Sequence, residues 1–361
     1  MSDQVYRDLA RRLDGIPPGF PATESGVELQ LLARLYTREE AMLVAAMRLN
    51  HEPAGEIAVR AGMALEAACD VLDAAAGKGL VRSRTEEGEP KFALNPQTAG
   101  FAGLHSPAAV RHNPEAAAPY VHWVQETRGG SLSDAPAARR VIPVEESISF
   151  GLAIHPYEQA REMLAAARSW GVLDCMCRTR TGQAGQRCSY PLSACLVSAP
   201  DEGVFDGHEL IRTISHEESL RILREAEGEG LVHTMSNFGD SSFVICNCCP
   251  CCCSLLRGVV EFQRPAVIAH SDFRATVDQT VCEGCGDCIE RCHFGALSLA
   301  EGVCAIDRVR CVGCGLCGLA CSFEALSLER RPAGETPPRP ADEDAWMAEH
   351  ARRRGLSLAG L

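Results

Sequence analysis

The chain has 361 residues, 20 of them cysteine, and a formal net charge of −13 at pH 7. That length predicts two or three domains, each with its own core, and no apolar run approaches the ~20 residues of a membrane-spanning helix. So many cysteines, behind a polar N-terminal MSDQVYRDLARRLDG, argue against a secreted disulfide scaffold and for metal binding in a reducing, cytoplasmic interior. The acidic balance favours docking onto a basic patch of a redox partner protein or oxidoreductase complex and opposes non-specific binding to nucleic acid.

In chain order, the first clear elements lie between residues 37 and 94. Thr37-Arg38-Glu39-Glu40 reads as a capping box opening a helix to about Asn50, and Pro53 starts a short second helix. Gly62 makes the turn to a third helix, about Ala64 to Ala76, with Leu65, Ala68, Val71, Leu72 and Ala75 on one buried face. GKGLVRSRTEEGEPKFALNP then reads as two strands around an EEGE turn. This order resembles the winged helix-turn-helix of bacterial regulators, which implies a third helix that enters the DNA major groove. Here its outward residues are Glu66, Asp70 and Asp73, with no cation before Lys78, so phosphate would be repelled. Arg60, Arg82, Arg84 and Lys91 are left to hold a DNA backbone; an interaction or structural module is the favoured reading.

From Leu104 to Val144 the chain is rich in Ala, Pro, Gly and Ser, as expected of a linker or wrapping arm. His105, His112 and His122 there lack ligand spacing and read as surface histidines.

Residues 145–268 read as two weakly related halves, each a helix, an extended segment and a Cys-x-Cys. In the first, Tyr157, Ala160, Met163, Leu164 and Ala167 have helical spacing before Cys175-Met176-Cys177, and Cys188 and Cys195 follow. In the second, Ser215 and Glu218 form a capping box for a helix that leads, through SSFVI, to Cys246-Asn247-Cys248-Cys249-Pro250-Cys251-Cys252-Cys253. Six cysteines in eight residues serve no apolar core. The ten middle cysteines are candidate ligands of an accessory metal centre or centres: one or two further iron–sulfur clusters, another metal such as zinc, or redox-active thiols. Arg178, Arg180 and Arg187 read either as counter-charges to thiolates or as solvated loop residues. Cys69 and Cys304 lack partners nearby in sequence and read as small buried residues.

The last third repeats one pattern, Cys282-x2-Cys285-x2-Cys288-x3-Cys292 and, 29 residues later, Cys311-x2-Cys314-x2-Cys317-x3-Cys321. EGCGDCIERCHFGALSL and VGCGLCGLACSFEALSL align without a gap, sharing glycines, Phe294/Phe323 and ALSL, an internal duplication. An unbroken CxxCxxCxxxC is a [4Fe-4S] ligand pattern; zinc sites space pairs of CxxC farther apart. Residues 272–330 thus resemble the bacterial dicluster ferredoxin module. The resemblance implies two [4Fe-4S] clusters, one on Cys282, Cys285, Cys288 and Cys321 and the other on Cys311, Cys314, Cys317 and Cys292. His293 and Ser322 replace the proline that follows the fourth cysteine in that family, and a polar group there can raise a cluster's potential by hydrogen bonding to sulfur.

The whole arrangement, with CxCR and CNCCxCCC in its middle, is similar to a group of ferredoxin-type proteins of anaerobic prokaryotes. After Leu328 a proline-rich stretch leads to DAWMAEHARRRG, a short helix or frayed tail whose Trp346 and Met347 could dock on a partner. The reading is an α+β multidomain chain: a winged-helix-like head (1–104), an arm (105–144), a cysteine-rich α/β domain (145–268), a ferredoxin module (269–331) of two short hairpins and two short helices, and a tail (332–361). The expected function is single-electron transfer, as a carrier or redox subunit. The alternatives are a redox-responsive transcriptional regulator that binds DNA and a reductase acting at the CNCCPCCC metal centre.

Overall fold

Thr37 opens a helix as its sequence predicts: its hydroxyl accepts from the Glu40 amide at 3.2 Å, and the Glu40 carboxylate accepts from the Thr37 amide at 2.8 Å. The computed structural model describes residues 3–95, 110–111, 113–129, 135–239 and 243–358. These fall into two compact units, one of Met1–Ser133, Met176–Cys188 and Asp344–Leu361, the other of Asp134–Cys175 and Ser189–Glu343. No helix among the described residues is long and apolar enough to cross a membrane.

The first unit begins with α1 (Asp3–Asp14) and α2 (Val27–Leu35), followed by α3 (Arg38–Ala46), β1 (Glu52–Pro53), α4 (Ala54–Ala61), α5 (Leu65–Gly77), β2 (Val81–Glu86) and β3 (Glu89–Leu94). The three strands form one antiparallel sheet in the order β1-β3-β2. Both residues of the β2–β3 turn, Glu87 and Gly88, have positive φ, the twist that tight hairpins favour. The first helix of the 37–94 segment stops at Ala46, short of Asn50, because Met47 turns to extended backbone. On α5, Ala68, Leu72 and Ala75 are buried, whereas Leu65, placed on the buried face by periodicity, is 56% exposed at the helix start. Glu66, Asp70 and Asp73 face outward as expected.

The stretch read as an arm carries more structure than its composition suggests. Within it lies α6 (Ala117–Glu126), which buries Tyr120, Trp123 and Val124. Trp123 is fully buried, stacks on Phe20 at 4.9 Å and donates from Nε1 to Pro21 O at 3.0 Å. An aromatic anchor thus outweighs the Ala- and Pro-rich surroundings, and Trp123→Ala is expected to destabilise this unit by about 3–5 kcal/mol in denaturant unfolding. His122 is exposed and pairs with Glu126 at 2.9 Å, while His105 and His112 lie outside the described residues.

Two later segments also belong to this unit. In α8 (Met176–Gln183), the buried Arg180 stacks its guanidinium over Tyr120 at 3.6 Å, and Arg178 is buried as well. Neither is therefore a solvated loop residue; Arg187 is exposed. The C-terminal α13 (Glu343–Arg354) is no frayed tail, since Trp346 and Met347 are buried and Arg354 donates to Ile16 O at 2.7 Å and Asp14 O at 2.9 Å.

The second unit is built on a six-stranded antiparallel sheet in the order β4-β8-β9-β6-β5-β7. Its strands are β4 (Arg139–Val141), β5 (Ser169–Asp174), β6 (Ser193–Ala199), β7 (Arg212–Ile214), β8 (Val232–Ser236) and β9 (Phe243–Cys248). The edge strand β4 comes from the stretch read as an arm. The short α7 (Ala160–Ala165) and the long α9 (His216–Glu229) cover one face, and Met163, Leu164, Ile222 and Leu223 pack there on Val172, Leu196, Met235 and Ile245. Ser215 Oγ caps α9 by accepting from the Glu218 amide, but the box is half made because the Glu218 carboxylate goes to Arg212. The two halves are not structural copies: Cys175 follows β5 and Cys177 lies in α8, whereas Cys246 and Cys248 both lie in β9.

The rest of this unit is the duplicated segment: β10 (Phe273–Val277), α11 (Asp287–Arg291), β11 (Leu297–Ala300), β12 (Val303–Ile306), α12 (Leu316–Leu319) and β13 (Leu326–Arg330). Only β11–β12 is a hairpin. The second expected hairpin is instead a pairing of the segment's two ends, Phe273 opposite Arg330 and Val277 opposite Leu326.

Candidate metal centres

The two repeats build the same local geometry twice. The Cys304 amide donates to Cys282 Sγ at 3.3 Å, and its counterpart 29 residues earlier, the Ala275 amide, donates to Cys311 Sγ at 3.4 Å. The Ala296 amide reaches Cys292 Sγ at 3.4 Å and the Ala325 amide reaches Cys321 Sγ at 3.3 Å. An N–H aimed at sulfur stabilises negative charge there, which suits a metal-bound thiolate better than a packing thiol.

Side chains from both repeats meet in each group. Cys282, Cys285, Cys288 and Cys321 line one small pocket, so the last cysteine of the second repeat joins the first three of the first. In the other group Cys292 and Cys317 pack against the buried cluster that holds Cys311, and the Cys292 and Cys311 thiols act electrostatically on Cys314; Cys288 of the first group also acts on Cys317. Burial pushes the Cys314 thiol up to about 12 and the Cys317 thiol up as well. Protonated thiols buried this closely gain little, whereas coordination to a metal removes their protons.

Cys304 is a near neighbour that sequence spacing did not reveal. It is buried, lines the same pocket as Cys282, and its Sγ lies 3.8 Å from that of Cys288. The signal was available in the repeat alignment, which sets Cys304 against Ala275. Cys69 is half-buried on α5. His293 does not turn to sulfur: its Nε2 lies 2.7 Å from Gly230 O, while Arg291 Nη2 donates to Glu227 O at 2.7 Å. Both tie the first repeat to the C-terminal end of α9. Ser322 is exposed.

A second concentration of thiols lies around β9. Strand alternation puts Cys246 and Cys248 on one face and Asn247 on the other. Asn247 is fully buried on the helix-covered face, where Oδ1 lies 2.6 Å from His233 Nδ1 and Nδ2 donates to Ala194 O at 2.6 Å. His233 Nε2 in turn lies 3.3 Å from Glu227 Oε1. This buried bridge fixes β9 between β8 and β6 and so sets where its cysteines point.

On the opposite face the β6–β9 register, with Leu196 against Ile245, brings Cys195 opposite Cys246. The Cys195 thiol lies close enough to Cys175 and Cys246, and the Cys248 thiol to Cys246 and Cys253, for each to feel its neighbours' charge. Arg139 Nη2 lies 3.0 Å from Cys246 Sγ, and Thr234 Oγ1 lies 3.5 Å from Cys248 Sγ. Hydrogen bonds from Cys195 and Cys248, with the Arg139 charge, hold the Cys246 thiol well below the ordinary cysteine range. Its neighbours Cys195 and Cys248 are pushed up, first by those same thiol contacts and then by burial.

Beyond β9 the chain turns through Pro250 into α10 (Ser254–Val260), with Cys253 at the helix N-terminus. The sulfurs of Cys249, Cys251 and Cys252 all lie within 4.8 Å of one another, with Cys251 exposed and the other two buried. A tetrahedral ion with ~2.3 Å bonds to sulfur spaces its ligands by about 3.8 Å, so this trio can hold a thiophilic metal. Cys177 and Cys188, both half-buried, belong to the first unit. None of the described cysteines is in a disulfide.

Compared with protein-family models, with curated proteins and with solved structures, the chain matches none of them.

Proposed function

We propose that the protein is an iron–sulfur electron carrier or redox subunit, relaying single electrons through two [4Fe-4S] clusters to or from an accessory cysteine-ligated centre around β9. The observation that carries this reading is the crossed grouping of the repeat cysteines, three from one repeat with the fourth from the other, each group with matching amide N–H···S contacts. Cys282, Cys285, Cys288 and Cys321 hold one cluster, and Cys311, Cys314, Cys317 and Cys292 hold its twin. The clusters supply one-electron chemistry when bound. The chain's own residues hold the sulfurs apart, aim backbone dipoles at them and keep water from the buried side.

The trio Cys249, Cys251 and Cys252 is read as part of an accessory metal centre. The exposed Cys251 puts this centre within reach of solvent or a partner, as the exposed Cys285 does the first cluster. The overall charge of −13 suits a partner with a basic docking face.

Stepwise reduction under nitrogen, followed by electron paramagnetic resonance and transfer to a one-electron acceptor, tests the reading. Two paramagnetic centres that form on reduction and vanish on transfer are expected; a protein with no reducible centre would sink it.

The order of elements from α3 to β3 and the sheet order β1-β3-β2 support a winged-helix reading of residues 37–94. Glu66, Asp70 and Asp73 on the exposed face of α5 weigh against DNA and for a protein-interaction module. A gel shift at low salt is expected to show no binding, and sequence-selective, salt-sensitive binding would return the regulator reading.

A further inference from the structure

The thiols on the face of the sheet opposite α7 and α9 exceed what one metal ion can use. Cys195 stands opposite Cys246 by register, and with Cys175, Cys248 and Cys253 these thiols form a row of electrostatic neighbours from the end of β5 across β6 and β9 to the start of α10. A tetrahedral ion takes four ligands from one point. The Cα atoms of Cys246 and Cys248 alone stand about 6.6 Å apart along the strand. A row of this length suits a polynuclear core, which presents several metal corners to several thiolates.

Cysteine as apolar filler is the alternative, and Arg139 argues against it. The residue is 7% exposed, and Nη2 lies 2.8 Å from Thr234 O, 3.1 Å from Val244 O and 3.0 Å from Cys246 Sγ. Among the described residues no carboxylate forms an ion pair with it. Burying a cation without an anion is costly, and carbonyl dipoles alone offset the cost only in part. A negatively charged thiolate centre beside Cys246 supplies the missing counter-charge.

We infer that Cys175, Cys195, Cys246, Cys248 and Cys253 form a metal site distinct from the Cys249–Cys251–Cys252 group, taking an iron–sulfur cluster ligated by four of the five thiols, with Arg139 as its buried counter-charge. The grouping stands on the sheet geometry; only the choice of iron and sulfide rests on the function proposed above. Arg139 touches a sulfur of the site and acts as a positioning and tuning residue.

The test uses the full chain purified without oxygen, with iron, sulfide and zinc counted per chain in wild type, Cys195→Ser, Cys251→Ser and Cys285→Ser. Cys195→Ser is expected to lose about four irons with their sulfide, to keep whatever metal Cys251→Ser loses, and to add to the loss in Cys285→Ser. Unchanged iron in Cys195→Ser, or loss of a single zinc instead, overturns the inference. Loss in Cys195→Ser with none in Cys285→Ser would overturn the two-cluster relay and leave this site standing. Because Cys195 is buried in the sheet, Arg139→Leu and Arg139→Lys give a second reading. The midpoint potential of one centre is expected to fall in Arg139→Leu, because removing a nearby cation disfavours the added electron, and to return toward wild type in Arg139→Lys. Potentials that are unchanged in both variants overturn the site as drawn.

Discussion

Cys321→Ala is expected to remove the same cluster as Cys285→Ala, although the two residues lie in different repeats, 36 positions apart. Both line the pocket that also holds Cys282 and Cys288, and Cys321 is fixed there by the Ala325 amide on its sulfur. Each variant should lose about four irons, and the double variant no more than either alone, because they empty one site. Cys311→Ala, from the other group, should add to both. The readouts are iron and sulfide per chain and the paramagnetic spectrum of the reduced protein. If the Cys321→Ala spectrum matches that of Cys311→Ala instead, each run ligates its own cluster and the crossed grouping is wrong.

The second large effect comes from glycine, at the places where the chain folds back against the cysteine loops. At Gly313, φ is +73°, and an added Cβ would stand 1.9 Å from Phe273 O and 2.3 Å from Ser271 Oγ. Gly284, one repeat earlier, meets the Gly302 carbonyl at 2.1 Å in the matching position. Since the obstacle is backbone, Gly313→Ala must move β10 or the Cys311 loop. A left-handed conformation costs an L-residue ~1–2 kcal/mol, and overpacking adds roughly 1–3 kcal/mol. Gly334→Ala, at φ +88° with nothing within 4 Å, carries only the first cost and serves as the control. Anaerobic denaturant unfolding should show Gly313→Ala destabilised by roughly 2–5 kcal/mol, with the iron of the Cys311 group released earliest. Equal stability of the two variants would mean that the loop does not pack on Phe273 as described.

What the sequence revealed depended on how local the signal was. The capping box at Thr37, the turn at Glu87–Gly88 and the outward acids of α5 all rest on contacts within a few residues, and the structure has each of them. The duplicated segment was legible because 29-residue offsets carry glycines, cysteines and amide donors alike. Its second strand pair was misread because Phe273 and Arg330 meet across the whole segment, a pairing that no turn signal announces. The stretch of 104–144 read as an arm from its Ala and Pro content, yet it supplies an edge strand and the helix that buries Trp123.

The middle cysteines show the same limit. Counting them gave ten candidates, and spacing suggested grouping by nearness in sequence. The sheet instead sets Cys195 opposite Cys246 by register, while Cys249 groups with Cys251 and Cys252 at the turn that follows β9. Arg139 is not legible in the sequence, since a single arginine in an Ala- and Pro-rich stretch carries no sign that it will stand beside a sulfur.

Native mass spectrometry of the full chain, purified and kept without oxygen, tests the central claim most directly. The expected result is a species carrying at least about eight irons with matching sulfide, the complement of two [4Fe-4S] clusters. A chain carrying only zinc, or no metal on the eight repeat cysteines, would contradict the reading of this protein as an electron carrier.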